Sequence, residues 1–400
     1  MRTHRPKSIA AGEDTLAIYV HVPFCEQKCA YCDFFTITDP QREHPLLDGW
    51  LQICLDELRL WRTQYPVLNG RKISSIFFGG GTPSLLSPES FARFLDAARR
   101  DFAFLPGAEI SLETQPGTLR RSDFVALRKA GINRFSIGVQ TFNDGLLRPT
   151  GRRHTVAQAD ETLQWARDTG AEVSLDLICA LPGQSVGQWT EDLFRAVHHQ
   201  PDHISAYEMT YHAGTDYYRQ LRRGQIREPG DDVRAQMFRY TRQFLTDAGY
   251  KHYEISNYAR PAHQSRHNQS YWKLASFLGL GAGAHGFIFD PADPPGRRFM
   301  NPRSAADYAR SIGDGRLFAK PHDADDPDIR LVENLQMALR LTAGVDLNWL
   351  AGRLGQDIRN TRRGRLRDLV ERGWLSIKDD RMKLTKRGHL FADSVAESFL

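Results

Sequence analysis

No run of about 18 apolar residues, the length a membrane-crossing helix needs, occurs anywhere in the chain. Cysteine is scarce, five in 400 residues. An odd number without a regular framework excludes a disulfide-stapled secreted scaffold and places the chain in a reducing compartment, the cytoplasm. The first 14 residues are basic but hold no apolar segment, so they read as a disordered tail and not as a signal peptide. Excess charge is also missing. A formal net charge of +5 is small for this length, and Lys and Arg are scattered between carboxylates. There is no dense basic stripe for a phosphate backbone, so no nucleic-acid partner is expected. The nearest approach is the run Arg359, Arg362, Arg363, Arg365 and Arg367, which reads as a solvated helix face.

What is present is an ordinary globular composition, 41 % hydrophobic and 25 % charged, with length for a large barrel and an appendage. Strands are expected at 16–22, 72–78, 108–114, 134–140, 172–180 and 203–211. Helices are expected at 41–65, after Ser87-Pro88, and at 122–130, 155–168 and 185–198. Ser87 with Pro88 is a helix start and Gly131 a helix stop. Six such units predict an α/β fold with a parallel sheet, a partial (β/α)6 barrel. Polar features gather toward one end of the strands: cysteines after the first, Gly79-Gly80-Gly81-Thr82 after the second, then Glu113, Gln140 and Asp176. Parallel barrels build their sites at the C-terminal strand ends, so these features are expected to meet at one mouth.

The loop after the first strand carries Cys25, Cys29 and Cys32, a C-x3-C-x2-C spacing. Three thiolates this close can wrap one soft-metal centre. Cubane iron–sulfur clusters normally take four, so three leave one iron open to a ligand. A structural zinc site, the alternative, wants four closed ligands. His21 lies nearby, but strand alternation would point it away from the loop. The spacing resembles that of the radical S-adenosylmethionine (SAM) family, in which SAM occupies the open iron. Gly79 to Gly81 would let the backbone approach such a ligand, or make only a tight turn. Glu113 and Asp176 stand in otherwise apolar strands, where an unpaired charge is costly. A sulfonium, an ammonium or ribose hydroxyls would satisfy them, and so would an ion pair to Arg134 or Arg152.

Further motifs narrow the resemblance. Tyr19-Val-His-Val-Pro-Phe-Cys25, Gly80-Gly-Thr-Pro83, Gly138-Val-Gln-Thr-Phe-Asn-Asp144 and Asp176-Leu-Ile-Cys-Ala-Leu-Pro-Gly-Gln184 resemble the oxygen-independent coproporphyrinogen III oxidase group of radical SAM proteins, from Ile18 onward. Within that group the chain resembles the heme chaperone branch. The oxidase carries a fourth Cys two residues beyond the third, where this chain has Phe34. The chaperones carry His-Asn-x-x-Tyr-Trp, here His267 to Trp272, preceded by Tyr253-Glu-Ile-Ser-Asn-Tyr258. Departures from the group's pattern at Thr114-Gln115, Pro149-Thr150 and Cys179-Ala180 fall at neighbouring or packing positions.

The resemblance implies a [4Fe–4S] cluster on Cys25, Cys29 and Cys32. It implies SAM at Tyr19, Tyr31, Gly80, Gly81, Thr82, Glu113, Gln140, Arg152 and Asp176, with Arg152 toward the SAM carboxylate. It implies heme at His267, Tyr271 and Trp272, with an axial imidazole and Tyr271 one helical turn on. His252, His263 and His285 are rival ligands, His285 in the flexible loop Gly281-Ala-Gly-Ala-His285-Gly. The implied function is a heme chaperone serving membrane-bound hemoproteins such as respiratory enzymes. Heme-donating proteins and contact at a membrane surface are further implied partners, for a monomer or dimer. The alternative is a radical SAM enzyme acting on a tetrapyrrole, and whether SAM is cleaved or only bound stays open.

After about Asp290 the composition changes. The stretch 290–298 reads as a loop, 328–341 as an amphipathic helix and 374–385 as a strand–turn–strand around Asp379-Asp380. Helices with a small hairpin resemble a winged-helix module, read here as a packing or protein-contact unit. The expected organisation is a tail (1–14), the barrel (15–225), an extension carrying the His267 segment (226–300) and a C-terminal helical domain (301–400).

Overall fold

A computed structural model describes residues 14–292, 294–322 and 326–400. Apart from Asp14, the expected tail lies outside the described residues.

Strand alternation organises the molecule. β1 (Thr15–Val22), β2 (Lys72–Gly80), β3 (Phe104–Thr114), β4 (Arg134–Gln140), β5 (Glu172–Cys179) and β6 (His203–Glu208) pair in parallel in that order. One face presents Ile18, Val20, Ile76, Phe78, Leu112, Ile137 and Leu175, all buried in the main core. That core is shared with helices α1 (Trp50–Gln64), α2 (Pro88–Asp101), α3 (Arg121–Ala130), α4 (Val156–Asp168) and α5 (Val186–His198). The alternate residues Ser75, Glu109, Ser111, Arg134, Ser136, Ser174 and His203 are polar, yet they too are buried. A parallel sheet is covered on both faces. Here helices cover the apolar face, and the sheet curls around the polar one.

Local chemistry sets the helix ends. Ser87 Oγ accepts the Ser90 N–H, and Thr155 and Ser185 form capping boxes with Gln158 and Gln188. α1 begins at Trp50 and not near 41. Asp39 accepts the N–H groups of Glu43 and His44, and Pro45 follows, so the approach is a set of turns.

The sheet extends past the six expected strands. Beyond β6 lie β8 (Asn257–Ala259) and, outermost, β7 (Lys251–His252), both antiparallel additions. On the other side β9 (Phe277–Leu280) runs parallel to β1, followed outward by β10 (His285–Ile288), β11 (Arg297–Met300) and β12 (Lys320–Pro321). β1 is therefore an interior strand. Between β8 and β9, preceded by the longer helix α6 (Asp231–Asp247), the His267 segment forms the short helix α7 (Arg266–Trp272). Glu109 of β3 accepts the N–H groups of Arg266 and His267 at 2.9 and 3.1 Å and the Ser265 hydroxyl at 3.2 Å. A carboxylate at a helix N-terminus suits the helix dipole. Helix α7 thus occupies the polar interior of the sheet.

A second apolar cluster gathers Leu331 and Leu335 of α8 (Pro327–Ala338) with Leu350, Met382, Val395 and Phe399. Tyr308 and Ile312, expected with the C-terminal segment, instead pack in the main core. The hairpin Leu375–Lys378 to Arg381–Leu384 turns at Asp379 and Asp380, at φ +49° and +57°, the left-handed pair of a two-residue hairpin turn. In the arginine run Arg363, Arg365 and Arg367 are exposed as expected, while Arg359 pairs with its neighbour Asp357 and with Asp380, and Arg362 with Asp328. Among the described residues, no helix is long and apolar enough to cross a membrane.

Candidate functional site

A cavity of about 850 Å³ opens where the strands end, and every residue expected to serve the cluster, SAM or heme lines it. β1 supplies Tyr19, β3 Glu113, β4 Gln140, β5 Asp176, and the loops after β1 and β2 the cysteines and glycines. Of the rival histidines, His285 lines this cavity. His252 stacks on Tyr258 at 4.5 Å and His263 faces Glu172 at 3.4 Å, both away from it.

The cysteine loop is held from several sides. Phe24 and Cys25 pair with Ile37 and Thr38. The Cys32 N–H donates to the Cys29 carbonyl at 3.1 Å, and Ala30 N–H to the Thr150 carbonyl at 2.9 Å. Thr82 Oγ1 donates to Cys25 Sγ at 3.4 Å. Gly81 makes the close packing feasible, because a Cβ there would lie 2.8 Å from backbone atoms of Val22, Pro23 and Phe24. Burial raises the Cys25 thiol and pushes Cys32 up to about 11. As free thiolates these side chains are disfavoured, and bound positive charge is what would offset that. Among the described residues, no three His, Cys, Asp or Glu side chains gather tightly enough to hold a single metal ion. Cys54 and Cys179 are buried elsewhere with their thiols raised. His21 departs from expectation: its Nε2 bonds the Phe35 carbonyl at 2.8 Å, so the ring faces the loop.

Acidic and basic groups face the cavity without ion-pair partners among the described residues. Glu113 accepts only the Gly80 N–H, at 3.1 Å, and burial, then Asp176, push its carboxyl up to about 8. Asp176 accepts the Ser136 hydroxyl at 2.9 Å, and burial raises it too. Arg134, the first candidate counter-ion, is engaged by Glu172 at 2.9 Å. Arg152, the second, donates to the Tyr31 phenol at 3.2 and 3.1 Å.

His267, by contrast, is fully satisfied. Its Nδ1 bonds Ser75 Oγ at 2.9 Å, its Nε2 bonds the Tyr271 hydroxyl at 2.6 Å, and its ring stacks on Phe77 at 5.1 Å. Burial lowers the imidazole to about 3, so it is neutral. Trp272 lies under the Arg340 guanidinium, 4.6 Å from its ring centroid. His285 opens β10 opposite Met300 and belongs to a strand, where a flexible loop was expected.

Several lining residues were missed in the sequence: Ser136, Ser174, Ser205 and Tyr207 along the inner face, and Phe277 and Phe287 from β9 and β10. Each of the first four lies two residues from another inner-face residue of its strand, Ser136 from Arg134, Ser174 from Asp176 and Ser205 from Tyr207, a period-2 signal that marks a common face.

Comparison with known proteins then becomes informative. The radical SAM superfamily model matches residues 19–196, and the HemN C-terminal domain model matches 325–391. The heme chaperone HemW of a Synechocystis species is 38 % identical over 334 residues, 82 % of this chain and 79 % of that protein. HemW of Escherichia coli is 34 % identical over 393 residues, 96 % of this chain and 98 % of that protein. The chain belongs to the HemW family. Its fold also matches the solved Escherichia coli coproporphyrinogen III oxidase HemN, a radical SAM enzyme, with a TM-score of 0.78 at 24 % identity over 97 % of this chain and 90 % of that one. That likeness is one of fold. The two family-model matches fall on β1 to α5 and on the second apolar cluster.

Proposed function

We propose that the chain is a heme chaperone on a radical SAM scaffold. Cys25, Cys29 and Cys32 hold a [4Fe–4S] cluster, which supplies an iron with an open coordination position. SAM lies against Tyr19, Tyr31, Gly80, Gly81, Thr82 and Gln140. Arg152 offers donors to its carboxylate, while Glu113 and Asp176 offer acceptors to its cationic groups and ribose hydroxyls. Heme takes the aromatic side of the cavity around Tyr271 and Trp272, above His267, and passes to membrane-bound hemoproteins.

The observation that carries this reading is a set of ionisable groups without ion-pair partners among the described residues, the carboxyls of Glu113 and Asp176 and the guanidinium of Arg152, on one cavity with three thiols. A cationic ligand would draw the two carboxyls into their charged form. A zwitterionic, sulfonium-bearing ligand is complementary to that arrangement. The second reading, a radical SAM enzyme acting on a tetrapyrrole, draws on the same groups. Against the oxidase reaction stands Phe34, 52 % exposed on the cavity rim where those enzymes carry a further cysteine.

Heme titration of the anaerobically reconstituted protein separates the two, with 5′-deoxyadenosine and coproporphyrinogen consumption followed in the same samples. Stoichiometric heme uptake without coproporphyrinogen turnover supports the chaperone. Deoxyadenosine accumulating with an added tetrapyrrole, without heme uptake, transfers the assignment to the enzyme.

A further inference from the structure

Five histidines line the cavity. His21 and His203 have both ring nitrogens hydrogen-bonded, and His212 faces Asp33 at 3.8 Å, which leaves His267 and His285 beside the aromatic side of the cavity. His267 is 1 % exposed, with both ring nitrogens hydrogen-bonded and Phe77 stacked on its face. Iron coordination there requires breaking a 2.6 Å hydrogen bond inside a packed helix. His285, at the first position of β10, lines the cavity with part of its surface exposed and part desolvated by its neighbours.

Its surroundings fit a flat, carboxylate-bearing iron macrocycle. Phe277 and Phe287 form an aromatic wall, their ring centroids 6.4 Å apart. Arg298, which also pairs with Glu333, and the exposed Arg303 bring positive charge to the same side, where carboxylates would lie. Burial first, then His322, Arg303 and Arg298, hold His285 below the usual imidazole range, which favours the neutral, coordinating form. The turn before it is fixed against the cysteine loop. Gly283 sits at φ +78°, and a Cβ there would lie 2.8 Å from the Phe35 Cβ.

We propose that His285 supplies the axial imidazole to the iron of the heme cargo, and that His267 serves to position helix α7. The proposal rests on the chaperone reading. Imidazole is a common axial donor to heme iron. His285, unlike His267, reaches it without dismantling buried structure, and unlike the exposed His212, which faces Asp33, it stands beside the Phe277–Phe287 wall.

The test is ferric heme titration of the full-length, cluster-reconstituted protein, followed by Soret absorption and electron paramagnetic resonance. Wild type is compared with His285→Ala and His267→Ala, each also with added free imidazole. His285→Ala is expected to lose the imidazole-ligated spectrum and bind heme more weakly, on the order of tenfold or more, with free imidazole restoring the spectrum. His267→Ala is expected to keep the wild-type spectrum even where stability drops. A wild-type spectrum in His285→Ala, or loss only in His267→Ala with rescue by imidazole, overturns the assignment and leaves the chaperone reading standing. Failure of the wild type to bind heme overturns both.

Discussion

The Nε2 of His267 and the hydroxyl of Tyr271 lie 2.6 Å apart, one turn along helix α7, within a packed interior. Tyr271→Phe removes that partner and keeps the ring, leaving a buried imidazole nitrogen unsatisfied. The expected loss is ~1–3 kcal/mol, measured by urea unfolding. Ser75→Ala should cost a similar amount from the other ring nitrogen. If neither variant loses stability, the interior placement of His267 is wrong.

Glu113 gives a pH signature. Its carboxyl titrates at about 8 in the fold, against about 4.3 in an unfolded chain. Between those values the folded state retains a proton that the unfolded state has released. Ligand-free stability from this group therefore falls as pH rises through the window, by at most ~1.4 kcal/mol per pH unit. Glu113→Gln should flatten the profile, so that its advantage over wild type grows with pH. Parallel unfolding curves across the window, with a constant difference, would contradict this.

Gly81→Ala tests the turn beneath the cysteine loop. The new methyl meets backbone of Val22, Pro23 and Phe24, where nothing yields as a side chain would. Overpacking of this kind costs ~1–3 kcal/mol. The readouts are thermal unfolding and the iron retained after anaerobic reconstitution, both expected to fall.

Arg340 joins the C-terminal segment to the site. It stacks on Trp272 and lies 3.7 Å from Glu254, whose side chain is fully buried. Arg340→Ala strands that carboxylate, an effect of ~3–5 kcal/mol for a buried pair broken on one side. Adding Glu254→Gln should recover part of the loss. Tryptophan fluorescence should shift in Arg340→Ala and persist shifted in the double variant, since the guanidinium over Trp272 is gone from both.

The legible parts of this molecule are those with local causes. Ser87, Thr155, Ser185 and Gly131 end helices through their own hydrogen bonds and backbone preferences, and period-2 apolar patterning gives the six inner strands. The cysteine spacing marks its loop without any tertiary information. Illegible parts depend on distant segments. β9 is four residues long, and its pairing with β1 on one side and β10 on the other makes it a strand. His267-Asn-Gln-Ser reads as surface because nothing nearby announces that Glu109, more than 150 residues earlier, will cap it indoors. His21 was expected to turn away from the loop, yet the loop folds back over its ring and offers the Phe35 carbonyl.

The interior position of β1 has a consequence for synthesis. Ala17 pairs with Phe277, about 260 residues later, so one edge of the first strand made stays unpaired until most of the chain has left the ribosome. Open strand edges invite pairing with other chains, and contacts so distant in sequence form late. Nascent chains stalled before residue 277 should therefore aggregate more readily than those stalled after residue 321, where the outer strands have closed over that edge.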